Sequence, residues 1–203
     1  MSRTPGRPRA FDRDAALEKA LREFWRHGYE ATSIAGLTAA MGIRPPSLYA
    51  AFGDKRKLFN EAVERYQQTH GAFTTRALAE EPTGRQAMER VLREAAVNYC
   101  DPEHPPGCLI ITAAVNHGPE AEQVEEVLRG YRVAAKRSFA ERIEGDVKAG
   151  RVPADTDVEG LATFYAATIQ GMSRQSQDGA TAEELNRVAT FAMQVYPAEL
   201  GAI

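Results

Sequence analysis

The 203-residue sequence carries two cysteines, one tryptophan and four histidines. It has no apolar run near the roughly 18 residues that a bilayer span requires. Each shortage removes a class of function. Cys100 and Cys108 cannot build a disulfide framework, which fits a reducing compartment and leads us to expect a cytoplasmic protein without a membrane partner. The N-terminal MSRTPGRPRAFDRD is basic but lacks a following apolar segment, so it does not read as a signal peptide. There is no glycine-rich phosphate loop and no HExxH pair. Cys100, His104, Cys108 and His117 are the remaining candidates for metal or thiol chemistry. Their spacing matches no zinc pattern, and Pro102, Pro105 and Pro106 forbid the helix that would align the first three. No third group is placed to orient a Cys–His pair. The expectation is no enzyme activity, no metal and no cofactor.

Positive charge is also short overall. The formal net charge is −3, which by itself argues against a polyanionic partner. Its distribution reverses that argument. Residues 1–57 hold eleven Lys/Arg against six Asp/Glu, and the remainder holds 14 against 22. A basic module of net +5 is joined to an acidic body of net −8, the arrangement expected of a phosphate-binding head.

What the sequence does contain is helical periodicity throughout, with no strand-like alternation, so the fold class is all-α. Residues 33–59 organise the rest. Ile34, Leu37 and Met41 form one apolar face, Gly42 follows where a left-handed residue would end a helix, and Pro45 and Pro46 suit the first turn of the next. Leu48 and Phe52 point to the core, leaving Ser47, Tyr49, Ala50 and Ala51 more outward. Two short helices joined through a glycine turn make a helix-turn-helix, whose second helix suits a DNA major groove. Upstream, Asp12 caps a helix over 12–28 with the core stripe Leu17, Leu21, Phe24 and Trp25. Downstream, Asp54 caps a long linking helix that runs from Lys55 towards Ala79. Lys55, Arg56 and Lys57 sit at its N-terminus, the unfavourable end for cations, which points to phosphate contact; the alternative is a solvated basic turn.

These residues resemble the DNA-binding domain of the TetR family of regulators, through Thr32-Ser33, Leu37, Ala40-x-Gly42-Ile43, Ser47-Leu48-Tyr49-x-x-Phe52 and Lys55-x-x-Leu58. The resemblance implies a three-helix head over 11–57, a basic arm over 1–10 and a helical effector-binding and dimerisation body over 58–203. It departs from the family at Ala50 and Ala51, where many members carry larger polar side chains. On this reading Arg44 and Ser47 read bases, Tyr49 and Lys55 hold phosphates, and Ser33 and Pro45 place helix ends against the backbone. Arg7 and Arg9 either enter a minor groove or belong to a solubilising tail.

The body reads as helices over 84–100, 108–117, 119–149, 157–177 and 181–196. The last two alternate small residues with large apolar ones, which suits a four-helix contact across a two-fold axis through Leu161, Ala167, Gly171, Val188, Ala192 and Val195; a monomer closing its own core is the other reading. The resemblance implies a small-molecule effector inside the body, and Phe73, Tyr99, Ile110, Tyr131, Phe164, Thr168 and Met172 are candidates to line its pocket. Cys108 opens a helix, where the dipole would lower its thiol pKa and make it a sensor of oxidants or electrophiles; it is equally read as a small buried hydrophobe. The expected function is a DNA-binding repressor, released from a palindromic operator by a small molecule. The alternative is a helical ligand or thiol sensor whose DNA binding is weak or lost.

Overall fold

The computed structural model describes residues 11–114 and 118–198, so Arg7, Arg9 and His117 lie outside the described residues. Among the described residues there are ten α-helices and no strand.

The head is built on α1 (Arg13–Ala31), α2 (Ile34–Met41), α3 (Pro45–Phe52) and the start of α4 (Lys55–Gln68). Asp12 caps α1 by accepting from the Asp14 and Ala15 amides. Ala16, Leu17, Ala20, Leu21, Phe24 and Trp25 form its buried stripe, which packs against α2 and α4. At Gly28 the backbone leaves the helix (φ 78°, ψ 172°), a conformation that favours glycine. A Cβ there would stand 2.9 Å from the Ala113 carbonyl oxygen. The next residue, Tyr29, donates its N–H to that same oxygen at 2.8 Å.

The body comprises α5 (Ala72–Glu80), α6 (Gly84–Asn98), α7 (Leu109–Thr112), a short 3-10 turn (Pro119–Ala121), α8 (Glu122–Lys148), α9 (Val158–Gln177) and α10 (Ala182–Met193). α6 lies centrally against α5, α8, α9 and α10, and α8 pairs along α9. Two expectations are corrected. The linking helix is not continuous to Ala79: at Thr69 the backbone turns out of the helix (φ −119°, ψ −93°). Gly71 then donates to the Tyr66 carbonyl at 2.8 Å before α5 begins. Among the described residues, the apolar stretch from Cys108 is helical over Leu109–Thr112, held at its start by the Gly107 turn and followed by Ala113, whose carbonyl is tied to Tyr29.

Head and body meet over an aromatic seam. The Trp25 ring stacks on His104 with centroids 4.5 Å apart and meets Tyr66 and His70 edge-on at 4.9 and 5.1 Å. Glu18 anchors the rim, accepting from Arg65 at 2.9 Å, Arg22 at 3.1 Å and His70 at 3.3 Å. Burial of His104 pushes its pKa down, so the ring is held neutral between Trp25 and His70.

At the far end of the body, Asp146 of α8 is buried and caps α6 from outside. It accepts from the Gly84 and Arg85 amides at 3.0 Å each, from the Tyr196 hydroxyl at 2.8 Å and from Arg151 at 3.2 Å. Burial alone would raise its pKa; the hydrogen bonds, Gly84's first, outweigh that and hold the carboxyl below its ordinary value. A depressed carboxyl pKa adds stability above the unfolded value, and that stability is lost as pH falls through the folded one. Asp146→Asn keeps one acceptor and turns the other into a donor facing donors. In urea unfolding at pH 7 it should cost about 2 kcal/mol, and the gap from wild type should narrow below about pH 4.

Candidate nucleic-acid interface and body cavity

Local sequence sets the geometry of the helix-turn-helix. Ser33 caps α2, its hydroxyl accepting from the Gly36 amide at 3.0 Å. Gly42 takes the left-handed conformation (φ 70°, ψ 33°), and Ile43 donates back to the Thr38 carbonyl at 3.0 Å, the pattern that terminates helices at glycine. Arg44 is extended (ψ 153°) as the residue before a proline must be, and Pro45 opens α3 where an amide donor is not needed. Leu48 and Phe52 are buried. Arg44, Pro45, Tyr49 and Ala50 face outward, while Ser47 and Ala51 are half-buried. Tyr49 is 50% exposed, an amphipathic ring standing off the surface of the head.

The outward face of α3 is therefore a rigid ledge with an arginine at its N-terminal end and a phenol beyond it. Arg13 steadies that ledge from behind. Its guanidinium lies 4.3 Å from the Phe52 ring centroid, donates to the Ala51 carbonyl at 3.2 Å and pairs with Glu61 of α4 at 2.6 Å. This clamp has no local signal in the sequence, since its partners lie 38 to 48 residues away. Beside the ledge, Asp54 caps α4 by accepting from the Lys57 amide at 2.8 Å. The Lys55 ammonium sits 4.4 Å over the Tyr29 ring and donates to the Glu30 carbonyl at 3.4 Å. Lys57 extends into solvent, and Arg56 reaches across to Gln123 of α8. The three cations thus divide between the exposed edge of the head and its contact with the body.

Within the body a cavity of about 400 Å³ opens between α4, α5, α7, α8 and α9. Phe73, Tyr99, Ile110 and Tyr131 line it as expected. The other three candidates lie elsewhere. Met172 is in the core, Phe164 faces outward at 37% exposure, and Thr168 turns its hydroxyl to the Phe164 carbonyl at 2.8 Å. Helical spacing identifies the buried face of α9 but not which part of that face borders a void. Tyr66, Ile111, Phe139 and Ile169 are among the other residues of the wall. Tyr66 was not singled out from the sequence; the break at Thr69 is what places α5 opposite it.

Cys108 also lines the cavity. Of the two readings of Cys108, the surroundings favour the small buried hydrophobe over a thiol made acidic by a helix N-terminus. The thiol is buried, and burial pushes its pKa up despite partial relief from Tyr66 and the Ile111 and Ile110 amides. A four-residue helix has too little aligned dipole to compensate. Cys100 and His104 serve separate purposes, Cys100 donating to the Ala180 carbonyl at 3.2 Å and His104 stacking on Trp25.

α9 and α10 present an apolar face to the outside. Phe191 is 67% exposed, Val195 49% and Val188 39%, and Ala167 and Gly171 are exposed on the facing helix beside half-buried Leu161. Ala192 belongs to the core instead; it is buried and its carbonyl accepts from Tyr165. Phe191 was missed, although it extends the Val188–Val195 stripe by helical spacing.

Comparison with known proteins agrees with this geometry. Residues 16–62 match the model for bacterial regulatory proteins of the tetR family, and residues 84–192 match the tetracyclin repressor-like C-terminal domain. The chain is 33% identical over 198 residues to the HTH-type transcriptional repressor ComR of Escherichia coli K12, covering 97% of this chain and 94% of that one. It is 30% identical over 191 residues to the repressor BdcR of the same organism, covering 94% and 92%. Among solved structures, a cysteine-substituted form of the TetR family regulator CifR, complexed with 26-bp double-strand operator DNA, superposes with a TM-score of 0.91. It shares 44% identity, covering 95% of this chain and 100% of that one. A basic helix-turn-helix head on a cavity-bearing helical body, matched along nearly its whole length by such relatives, makes this chain a member of the TetR family of DNA-binding transcriptional regulators.

Proposed function

We propose that the chain is a homodimeric repressor that seats α3 of each protomer in the major groove of a palindromic operator and lets go when a small molecule fills the body cavity. The observation that carries this is the α3 ledge, an outward Arg44 and Tyr49 on a helix locked from behind by Leu48, Phe52 and Arg13. The operator complex of the CifR relative supports it. Arg44 and Ser47 are placed to read bases, with Ala50 offering an apolar contact to a thymine methyl. Tyr49 and Lys55 are assigned to phosphates, Lys55 from its position at the start of α4 beside the ledge. The Ser33 and Pro45 helix starts bring backbone amides to the phosphate line. One eight-residue helix offers too few contacts for tight binding, so two half-sites are needed. The exposed stripe of α10 with α9 supplies an apolar surface of the kind that dimers bury.

The thiol-sensor reading is the weaker one, because a buried thiol with a raised pKa is a poor nucleophile. Replacing Cys108 with serine should leave any response to oxidants unchanged. A response that disappears in the variant would restore that reading.

Binding should be tested by fluorescence anisotropy with the DNA beside the chain's own gene. Lys55→Ala should weaken binding to every duplex by a similar factor and lower the slope of log affinity against log salt by roughly 1 for each phosphate that is no longer neutralised. A change in sequence preference with an unaltered slope would assign Lys55 to packing on Tyr29. Phe191→Asp places a charge in the proposed dimer face without touching the protomer core. It should give monomers by light scattering, with operator affinity reduced at least about tenfold.

A further inference from the structure

The cavity wall has a polarity that narrows the class of molecule it takes. Tyr66 is 1% exposed and borders the cavity; among the described residues its hydroxyl makes no hydrogen bond of good geometry, only looser approaches to the Cys108 thiol and the Leu109 backbone. A buried phenol of this kind is costly unless something accepts from it. Tyr99, 2% exposed, borders the same space, and both hydroxyls lie close enough to the Cys108 thiol to bear on its ionisation. Burial raises both phenols well above the ordinary tyrosine value, so each remains a neutral O–H donor. Of the two cations on the lining, Arg132 is engaged, donating to the Ile110 carbonyl at 3.0 Å and pairing with Glu125, while Lys136 is partly exposed and only loosely paired, 4.0 Å from Glu159. A carboxylate or phosphate entering here would lose its hydration and meet only that solvent-screened ammonium. The rest of the wall sets apolar Phe73, Ile111, Phe139 and Ile169 among neutral polar residues, Gln67, Thr74, Thr75, Ser138 and Gln170.

We infer that the effector is an uncharged, largely apolar molecule bearing a hydrogen-bond-accepting oxygen, such as a carbonyl, to which Tyr66 donates with Tyr99 beside it. This rests on the reading of the cavity as the effector site. Cys108 then acts as wall, not as nucleophile.

Isosteric pairs test the inference. Acetophenone, propiophenone and benzophenone are each compared by calorimetry with the hydrocarbon in which a methylene group replaces the carbonyl oxygen, and with a carboxylate of similar size. The ketones should bind about tenfold tighter than their hydrocarbons and the carboxylates weakest. Tyr66→Phe keeps the ring against Trp25 and removes only the donor. It should erase the ketone's advantage while leaving the hydrocarbon's affinity where it was, which shows the cavity intact. Equal binding of ketone and hydrocarbon, or preference for the carboxylate, overturns the inference while leaving the cavity as an effector site. Failure of every member of every pair to bind overturns both.

Discussion

The hydrogen bond from the Tyr29 amide to the Ala113 carbonyl, 2.8 Å long, joins two parts of the molecule that have different tasks. On one side it holds the end of α1, whose buried stripe carries α2, α3 and α4. On the other it ends the segment that runs from His104 through Cys108, Ile110 and Ile111, and that segment is a wall of the cavity. Gly28 permits the approach, since any Cβ would strike the same carbonyl. Trp25 broadens the tie into a seam by stacking on His104. A molecule that moves the α7 wall must therefore either break this seam or carry the head with it. Coupling of this kind needs no long pathway: the two sites share one strip of chain, and under the proposed function a ligand would shift the head by its differential affinity for two positions of that strip.

The head depends on this support because its parts are too small to stand alone. Helices of eight residues, such as α2 and α3, are marginal by themselves, since nucleation costs more than so few hydrogen bonds return. Their positions come from Leu37, Leu48 and Phe52 buried against α1 and α4, and from caps at Ser33 and Gly42. The result is a stiff recognition surface on a base whose attitude is set by the body. Charge is divided accordingly. The acidic carboxylates of the body are largely spent on internal pairs, such as Glu80, Glu81 and Glu94 around Arg90, and the basic excess is kept at the head.

Much of this architecture could be read from the sequence because the signals were local. Asp12 and Asp54 as caps, Gly42 as the turn and Pro45 as a helix opener each act within a few residues, and all of them stand in the structure as expected; between Thr32 and Ser33 as the cap of α2, the structure has Ser33. The helices over 84–98, 122–148, 158–177 and 182–193 follow the same way from periodicity. What stayed hidden depends on partners distant in sequence. The break at Thr69, the Arg13 clamp on α3, the burial of Ala192 and the cavity's preference for Tyr66 over Met172 are settled by where other helices lie. Cys108 shows the same limit, since its position at a helix start was visible but the burial that raises its pKa was not.

The distance between the two heads of the proposed dimer, measured by double electron–electron resonance, tests the central claim most directly. Spin labels would be placed at Ala50→Cys on α3, with Cys100 and Cys108 replaced by alanine. The account requires a single narrow distance distribution in that background, and a broad one when Gly28→Ala forces the Tyr29–Ala113 contact apart. An unchanged narrow distribution in Gly28→Ala would contradict it, because the head would then be held by something other than this seam.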